Sequence, residues 1–466
     1  MLKNWIIRFF VVFFMSSGGV SYGQKLSMRH CDSSAIRDAC RRIVLRHANC
    51  GYPFASVVAD SAVIVGRRRV DVYCSTVLSQ KYRVENVYLL GGAGLSPYYI
   101  YAASGVAPGM CYNESRINSS ARRLASSGAV EVMQSAEVEF HPDGVADVYM
   151  YLKKRRSNAI SAGIALNRDN QDGKYYLTGD ALADLRNNFG HGESFRFVWK
   201  GYERRSQMLD VQMCLPYMFN THVSPDLGVN ITRSDTTCLT VQCKAAVGVT
   251  LSPDVEIKAV ADIRRLVSTA DDINGNDRND RTFLYGIAVD CRKIFENDTY
   301  INIAASASGG VRKAYGDDGS VADVAATVEN MVPIGTWARY EGTWTARQMY
   351  FAQKPDIHEC IPTGGVGSLR GFADNEIRAT GLLSACNTFR VLLPEGFSVQ
   401  MFYDQAFYRC KAAQADLSDH PCGVGAGVGV RTGAASIDIG WAIGAEWGRM
   451  RPLKDAKTLI IIRLDF

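Results

Sequence analysis

Val366-Gly367-Ser368-Leu369-Arg370-Gly371-Phe372 is the one segment whose residue types fit neither the alternating pattern on either side of it nor a tight turn. An arginine set between small residues and an aromatic, inside a stretch otherwise resembling amphipathic strand, reads as a buried, positively charged loop. Such a guanidinium must meet a carboxylate, because an unpaired buried charge is costly. What surrounds this loop, and which carboxylate meets it, therefore decides the fold.

At 466 residues the chain exceeds an ordinary domain, which implies several domains or one large closed sheet with accessories. Its 42 glycines, 22 tyrosines and 47% apolar content suit many strands joined by turns. The net charge of +5 is small for the length and the basic residues form no long block, which argues against a nucleic-acid partner. At the start, Lys3 and Arg8 flank an apolar run through Phe9, Phe10, Val11, Val12, Phe13, Phe14 and Met15, followed by Ser21-Tyr22-Gly23. The run is shorter than the roughly 20 residues a spanning helix needs, so residues 1–23 read as a secretory signal peptide. Export places the thirteen cysteines in an oxidising compartment, and an odd number cannot all pair. Cys410 and Cys422 flank the polar stretch 411–421 and are the pair best placed for a disulfide. Cys238 and Cys243, an odd number of residues apart in one predicted strand, point to opposite faces. None shows the C-x-x-C spacing of a zinc site, so no metal is expected.

Along the chain, residues 35–49 carry apolar positions at helical spacing (Ile36, Ala39, Ile43, Val44), stopped by Gly51-Tyr52-Pro53, with strands predicted at 55–65 and 69–77. A fuller unit follows. It has a strand at 82–90, helices at 97–104 and 113–127, and a hairpin of 130–140 with 145–152 turning at His141-Pro142-Asp143-Gly144. From Asn158 onward helical periodicity stops for about 310 residues, and alternating segments recur roughly every 19 residues, the pattern of a transmembrane β-barrel of about sixteen antiparallel strands. Candidate strands are 195–202, 208–215, 237–249, 255–267, 282–291, 300–308, 336–350, 398–409, 436–447 and 458–466. Connections 271–280, 313–320 and 411–421 read as long and polar, whereas 295–299, 394–396 and 432–434 read as tight. In the last strand Ile460, Ile462, Leu464 and Phe466 alternate with Ile461, Arg463 and Asp465, which turns one face to lipid. A soluble sandwich or propeller would require two packed sheets or a blade period, and neither is visible.

The order strand, helix, helix, strand, strand over 82–156 resembles the POTRA domain of outer-membrane assembly proteins, with Arg122-Arg123-Leu124 to Gly128 before its second strand and Asp147-Val148-Tyr149 in its third. Residues 24–81 resemble the second half of that pattern, with Gly51-Tyr52 and Ala55 at its G-Y-x-x-A turn, and read as a truncated POTRA-like domain. In the barrel region, 157–466, Leu369-Arg370-Gly371-Phe372 resembles the V-R-G-F/Y loop of the BamA and TamA family, with leucine replacing valine. Phe402-Tyr403-Asp404-Gln405-Ala406 resembles its second motif, with alanine where glycine is usual. Asn187-Asn188-Phe189-Gly190-His191-Gly192 and Leu215-Pro216-Tyr217 are further echoes.

The resemblance implies α+β periplasmic POTRA domains followed by an all-β barrel in the bacterial outer membrane. It implies that the Arg370 loop folds into the lumen and that Arg370 pairs with Asp404. Period 2 independently puts Phe402, Asp404 and Ala406 on one face, so Phe402 packs on the loop. A chain ending on Phe466 resembles the recognition signal of such barrels. The implied function is assembly, insertion or translocation of outer-membrane or secreted client proteins, with outer-membrane lipid and periplasmic accessory proteins as partners and no cofactor. Clients would be captured by strand addition on the strands at 130–140 and 145–152 and passed to a seam between 160–166 and 458–466.

Other readings are weaker. Gly364-Gly365-Val366-Gly367 and the glycines from Gly423 to Gly429 lack the βαβ context of a phosphate loop. Asp271, Asp272, Asn274, Asn276, Asp277 and Asp280 lack the terminal glutamate of an EF-hand, and Gly275 is misplaced for one. With neither H-E-x-x-H nor G-x-S-x-G, no catalytic site is expected. A two-partner-secretion transporter shares the POTRA units and the loop motif but usually carries an N-terminal plug helix, which the sequence does not display. A passive porin would lack both the POTRA region and the Arg370 loop.

Overall fold

The structure is a computed structural model that describes residues 11–14, 21–28, 33–64, 70–155, 158–168, 175–203, 206–234, 238–252, 254–268, 278–295, 297, 299–314, 317–365, 368–432 and 435–465. It separates into two compact units, Met1–Arg155 and Arg156–Phe466.

The first unit opens with a sheet in the order Val11–Phe14, Ser21–Met28, Val70–Val77, Ser56–Ile64, crossed by the helix Ser33–Ala48. Ala39 and Ile43, with Ile36 and Cys40 beside them, form one helical stripe that packs on Val70, Val72, Cys74 and Val57. The strand Ser21–Met28, which runs along Val70–Val77 from Ser21↔Val77 to Met28↔Val70, was not anticipated from the sequence. Val11–Phe14, inside the expected signal peptide, pairs with Ser21 to Gln24, while residues 1–10 and 15–20 lie outside the described residues.

A second sheet follows in the order Arg83–Leu90, Val145–Lys154, Val130–Phe140, with the helices Pro97–Ser104 and Glu114–Ser126 between its first and second strands. Both helices are capped as their sequences dictate: Ser96 Oγ accepts from the Tyr99 N–H at 3.2 Å and Asn113 Oδ1 from the Arg116 N–H at 2.9 Å. Val84, Ile100, Val106, Ile117, Leu124, Val130, Val148 and Leu152 are fully buried. Here the first strand runs parallel to its neighbour, whereas Ser21–Met28 is antiparallel to Val70–Val77. The physical reason is parity: each compact connection reverses the chain, and this sheet has two helices where the other has one. Val145–Lys154 is paired on both sides, which corrects its expected role as a capture edge. The outer edge of Arg83–Leu90 is partly covered, because the Val84 N–H donates to Met110 O and Val84 O accepts from the Gly109 N–H. Val130–Phe140 is the open edge.

In the second unit, eighteen strands among the described residues form one antiparallel circuit that starts at Ala159–Arg168 and returns to it from Lys457–Asp465. Two of them, Asp416–Asp419 and Arg449–Met450, are short additions, since Phe397–Lys411 also pairs directly with Cys422–Arg431, and Ala435–Glu446 with Lys457–Asp465. Sixteen full strands carry the circuit. Tyr285, Ile287, Trp344, Tyr350, Phe407 and Trp441 are exposed, while Asp262, Thr282, Arg312, Asp323, Thr388 and Asp404 are buried. Period 2 in a closed sheet sorts these residues onto an apolar outer face and a polar inner face, the inverse of a soluble fold and the pattern of a transmembrane barrel.

At one end, the strand ends Ser252 and Val255, Ile294 and Tyr300, Ile334 and Ala338, Leu392 and Phe397, and Arg431 and Ala435 are separated by short stretches of chain. The expected long loop at 313–320 is instead strand: Tyr300–Ala314 and Asp317–Ile334 pair down to Ala314↔Asp317. Its polar residues fit the alternation of a strand, Arg312 and Ala314 being buried while Asp318 and Ser320 are exposed. The calcium-like stretch 271–277 lies outside the described residues.

Candidate functional site

One connection outweighs the others. Residues 352–380, between the strands Ala338–Phe351 and Gly381–Leu392, fold back on the inner wall and carry structure of their own. The segment opens with the single turn Ile357–Glu359, closed by a capping box in which Asp356 Oδ1 accepts from the His358 N–H (2.8 Å) and Glu359 Oε2 from the Asp356 N–H (2.9 Å). Ile361–Thr363 then pairs with Ile377–Ala379, and the tip between them holds Leu369, Arg370, Gly371 and Phe372. Val366 and Gly367 lie outside the described residues.

Arg370 reaches Asp404 through two guanidinium donors, Nη2 to Oδ1 at 2.5 Å and Nε to Oδ2 at 2.7 Å, and its own backbone N–H donates to Oδ2 at 3.0 Å. Nη1 donates to Thr388 Oγ1 (2.9 Å) and Nη2 to Asn387 O (3.3 Å). The guanidinium carbon stands 3.9 Å from the centre of the Phe402 ring, so the aromatic on the same strand face as Asp404 forms the floor of the site. Asp404 is 0% exposed, and the bidentate geometry satisfies both of its oxygens. Beneath the tip, Leu369 and Phe372 pack with Met349, Ile361, Ile377, Ala379, Leu382 and Ala406 in one buried cluster.

The wall is shaped to receive this tip by glycine. A Cβ at Gly423 would lie 1.8 Å from Arg370 O, one at Gly425 2.2 Å from the Phe402 ring, and one at Gly444 2.7 Å from the Phe372 ring. The glycine-rich strand Cys422–Arg431 and its neighbour Ala435–Glu446 thus form a shallow track. At the tip itself Gly371 has φ +94°, and a side chain there would meet the backbone of Ile443 and Gly444.

Two further anchors escaped the sequence reading. Arg312 donates to Glu359 Oε1 and Oε2 at 2.8 and 2.6 Å and to Asp280 Oδ2 at 3.0 Å, tying the root of the segment to the strands Tyr300–Ala314 and Arg278–Ile294, which precede Ala338–Phe351 in the circuit. Arg451 donates to Glu376 at 2.6 Å and Glu446 at 3.0 Å, with its guanidinium carbon 4.4 Å from the Phe372 ring centre. Elsewhere on the wall Asp323 is shared by Arg264 (2.9 Å) and Arg347 (2.6 Å), and Arg264 also meets Asp262 at 2.7 Å. The available signal was charge at inward positions of alternating strands. Which charge meets which was not readable, since Arg312 and Glu359 are 47 residues apart and Arg451 and Glu376 are 75.

The terminal residues Ile462 and Leu464 are exposed at 44% and 51% and pair with Ile437 and Ala435. Ile460 lies opposite Ile439, and Phe466 is outside the described residues. The expected Cys410–Cys422 bridge is not formed. Cys422 sits opposite Gln405, five positions along the strand from Cys410, too far for a disulfide. Cys238 is buried and Cys243 exposed, on opposite faces of one strand.

The arrangement offers neutralised charge and dense hydrogen bonding, which hold a segment firmly against the wall. Neither a protein-family model nor a curated protein sequence matches the chain. Among solved structures, CdiB from Acinetobacter baumannii is similar with a TM-score of 0.60 at 13% identity, covering 93% of this chain and 82% of that one. CdiB from Escherichia coli is similar with a TM-score of 0.60 at 12% identity, covering 94% and 85%. BamA from Haemophilus ducreyi lacking POTRA domains 1–3 aligns over 93% and 94% at 13% identity with a TM-score of 0.44, too low to carry weight. At these identities the likeness is one of fold: a large antiparallel β-barrel preceded by α+β units.

Proposed function

We propose that the chain is a bacterial outer-membrane factor that assembles or translocates client proteins, with residues 1–23 as its signal peptide and the units at 24–81 and 82–156 as periplasmic POTRA domains. The observation that carries this reading is the extent of the fold likeness: it runs over 93% of the chain, α+β units and barrel together, where a simple pore would share the barrel alone. A client segment adds as a strand to the open edge Val130–Phe140. It then pairs at the seam, where Lys457–Asp465 meets Ala159–Arg168 through Leu464↔Ile160 and Asp465↔Ala159. Strand exchange of this kind consumes no nucleotide and uses no cofactor. The 352–380 segment braces the wall, so that opening is confined to the seam.

The test is reconstitution into liposomes with a urea-unfolded outer-membrane barrel as client, insertion being followed by protease protection and heat-modifiable gel mobility. Protein-bearing liposomes are expected to insert the client faster than empty ones. Cross-linking Ile160→Cys to Leu464→Cys is expected to remove the acceleration and reduction to restore it. High steady conductance with no insertion would sink the reading in favour of a porin. A second reading, a two-partner-secretion transporter, is favoured by the two CdiB structures among the neighbours. It predicts passage of a soluble client across the bilayer without insertion.

A further inference from the structure

Cys360 follows the capped turn at the root of the luminal segment, and Cys410 is the penultimate residue of the wall strand Phe397–Lys411. The two are 3% and 1% exposed and, with Ala412, make an apolar cluster separate from the one beneath the tip, edged by Ile357 and Ala415. The two side chains pack against each other in that cluster, and the Cys360 thiol also donates to Asp356 O at 3.5 Å. The backbones around them are already joined. The Ala413 N–H donates to Pro355 O at 2.8 Å, Gln414 Nε2 to Asp356 Oδ2 at 2.6 Å, and the Ile357 N–H to Gln414 Oε1 at 3.1 Å. On the far side the Thr380 N–H donates to Arg409 O at 2.7 Å, and Thr380 Oγ1 accepts from the Lys411 N–H at 3.2 Å. A bond between the sulfurs therefore requires side-chain rotation with little backbone movement, the condition a disulfide imposes.

We infer that Cys360 and Cys410 are a disulfide site that covalently staples the root of the luminal segment to the barrel wall. This rests on the reading of the chain as exported. The chemistry is thiol–disulfide exchange with a disulfide donor, either a protein or a small molecule. The first thiolate attacks a donor sulfur and expels one donor thiol. The second thiolate then attacks the chain's sulfur in the mixed disulfide and expels the other. Two electrons and two protons pass from the pair to the donor, and one sulfur–sulfur bond is exchanged for another. Because both sulfurs are buried in the folded barrel, the bond forms before the wall closes over it and afterwards resists reductant. The staple closes a long loop around the Arg370 tip, so it removes conformations from the unfolded chain as well as securing the root.

The experiment is a non-reducing peptide map of two samples of the full chain, one alkylated in its native membrane and one refolded from urea in a buffer of oxidised and reduced glutathione. A linked pair of peptides containing Cys360 and Cys410 is expected in both, resistant to dithiothreitol until urea is added. A link in the refolded sample alone upholds the pairing and overturns the export reading instead. Free thiols at both positions in both samples, or a link from Cys410 to Cys422, overturn the inference. Cys360→Ser is expected to lower the urea midpoint of the oxidised chain and to leave it insensitive to reductant applied in urea before refolding, whereas Cys422→Ser keeps the wild-type response. An unchanged reductant response in Cys360→Ser counts against the staple. The map on the wild-type chain decides even where that variant folds poorly.

Discussion

Two parts of the same sheet stand at opposite extremes. Around the luminal segment, three arginines, a buried apolar cluster and a glycine track converge on residues 352–380. At the seam, the described pairing between the first and last barrel strands is two residue pairs, against fifteen between Tyr300–Ala314 and Asp317–Ile334. Each ladder pair fixes one more residue and adds hydrogen bonds, so among the described residues separation is cheaper at the seam than between other neighbouring full strands of the circuit. The described residues thus tie the sheet firmly on one wall and lightly at the seam, which is the contrast the proposed function draws on.

The largest expected effect tests the rigid side. Asp404→Ala strands Arg370 in the buried site and is expected to cost about 3 to 5 kcal/mol, read from urea unfolding in detergent micelles. Arg370→Ala costs a similar amount, and the double variant loses less than the sum; strict additivity would break the pairing. Next, Gly423→Ala pushes a methyl into Arg370 O and is expected to cost about 1 to 3 kcal/mol by overpacking, measured in the same way. An unchanged midpoint would show that the tip does not rest on that track. Arg451→Gln releases a partly exposed anchor, Glu376 being 32% exposed at its side chain, and is expected to cost at most about 1 kcal/mol. Smallest is the seam. Leu464→Ala, at an outward position, is expected to shift stability by no more than about 0.5 kcal/mol. A loss there rivalling that of Asp404→Ala would erase the contrast between the two regions.

Much of this was legible beforehand. The helix stripe Ile36, Ala39 and Ile43, the strand–helix–helix–strand–strand order after Tyr82, and most barrel strands follow from periodicity over a few residues, where sequence and geometry coincide. Arg370 and Asp404 stood out because each interrupts its surroundings, and the same-face placement of Phe402 is arithmetic on a period of two. Misreadings came where polarity mimicked a turn, as in Asp317, Asp318, Gly319 and Ser320, which are strand, or where proximity along the chain mimicked proximity in space, as for Cys410 and Cys422.

The sequence by itself determined most of the strands, their outward and inward faces, and the presence of a charge that had to be buried, because alternation and desolvation act on each residue locally. Only the tertiary structure decided that Arg312 meets Glu359, that Arg451 meets Glu376, that Cys410 faces Cys360, and that among the described residues the circuit closes on two residue pairs. Those partners are set by strand register and by how the sheet curls shut. Such quantities depend on all sixteen strands at once, and no short stretch of the chain encodes them.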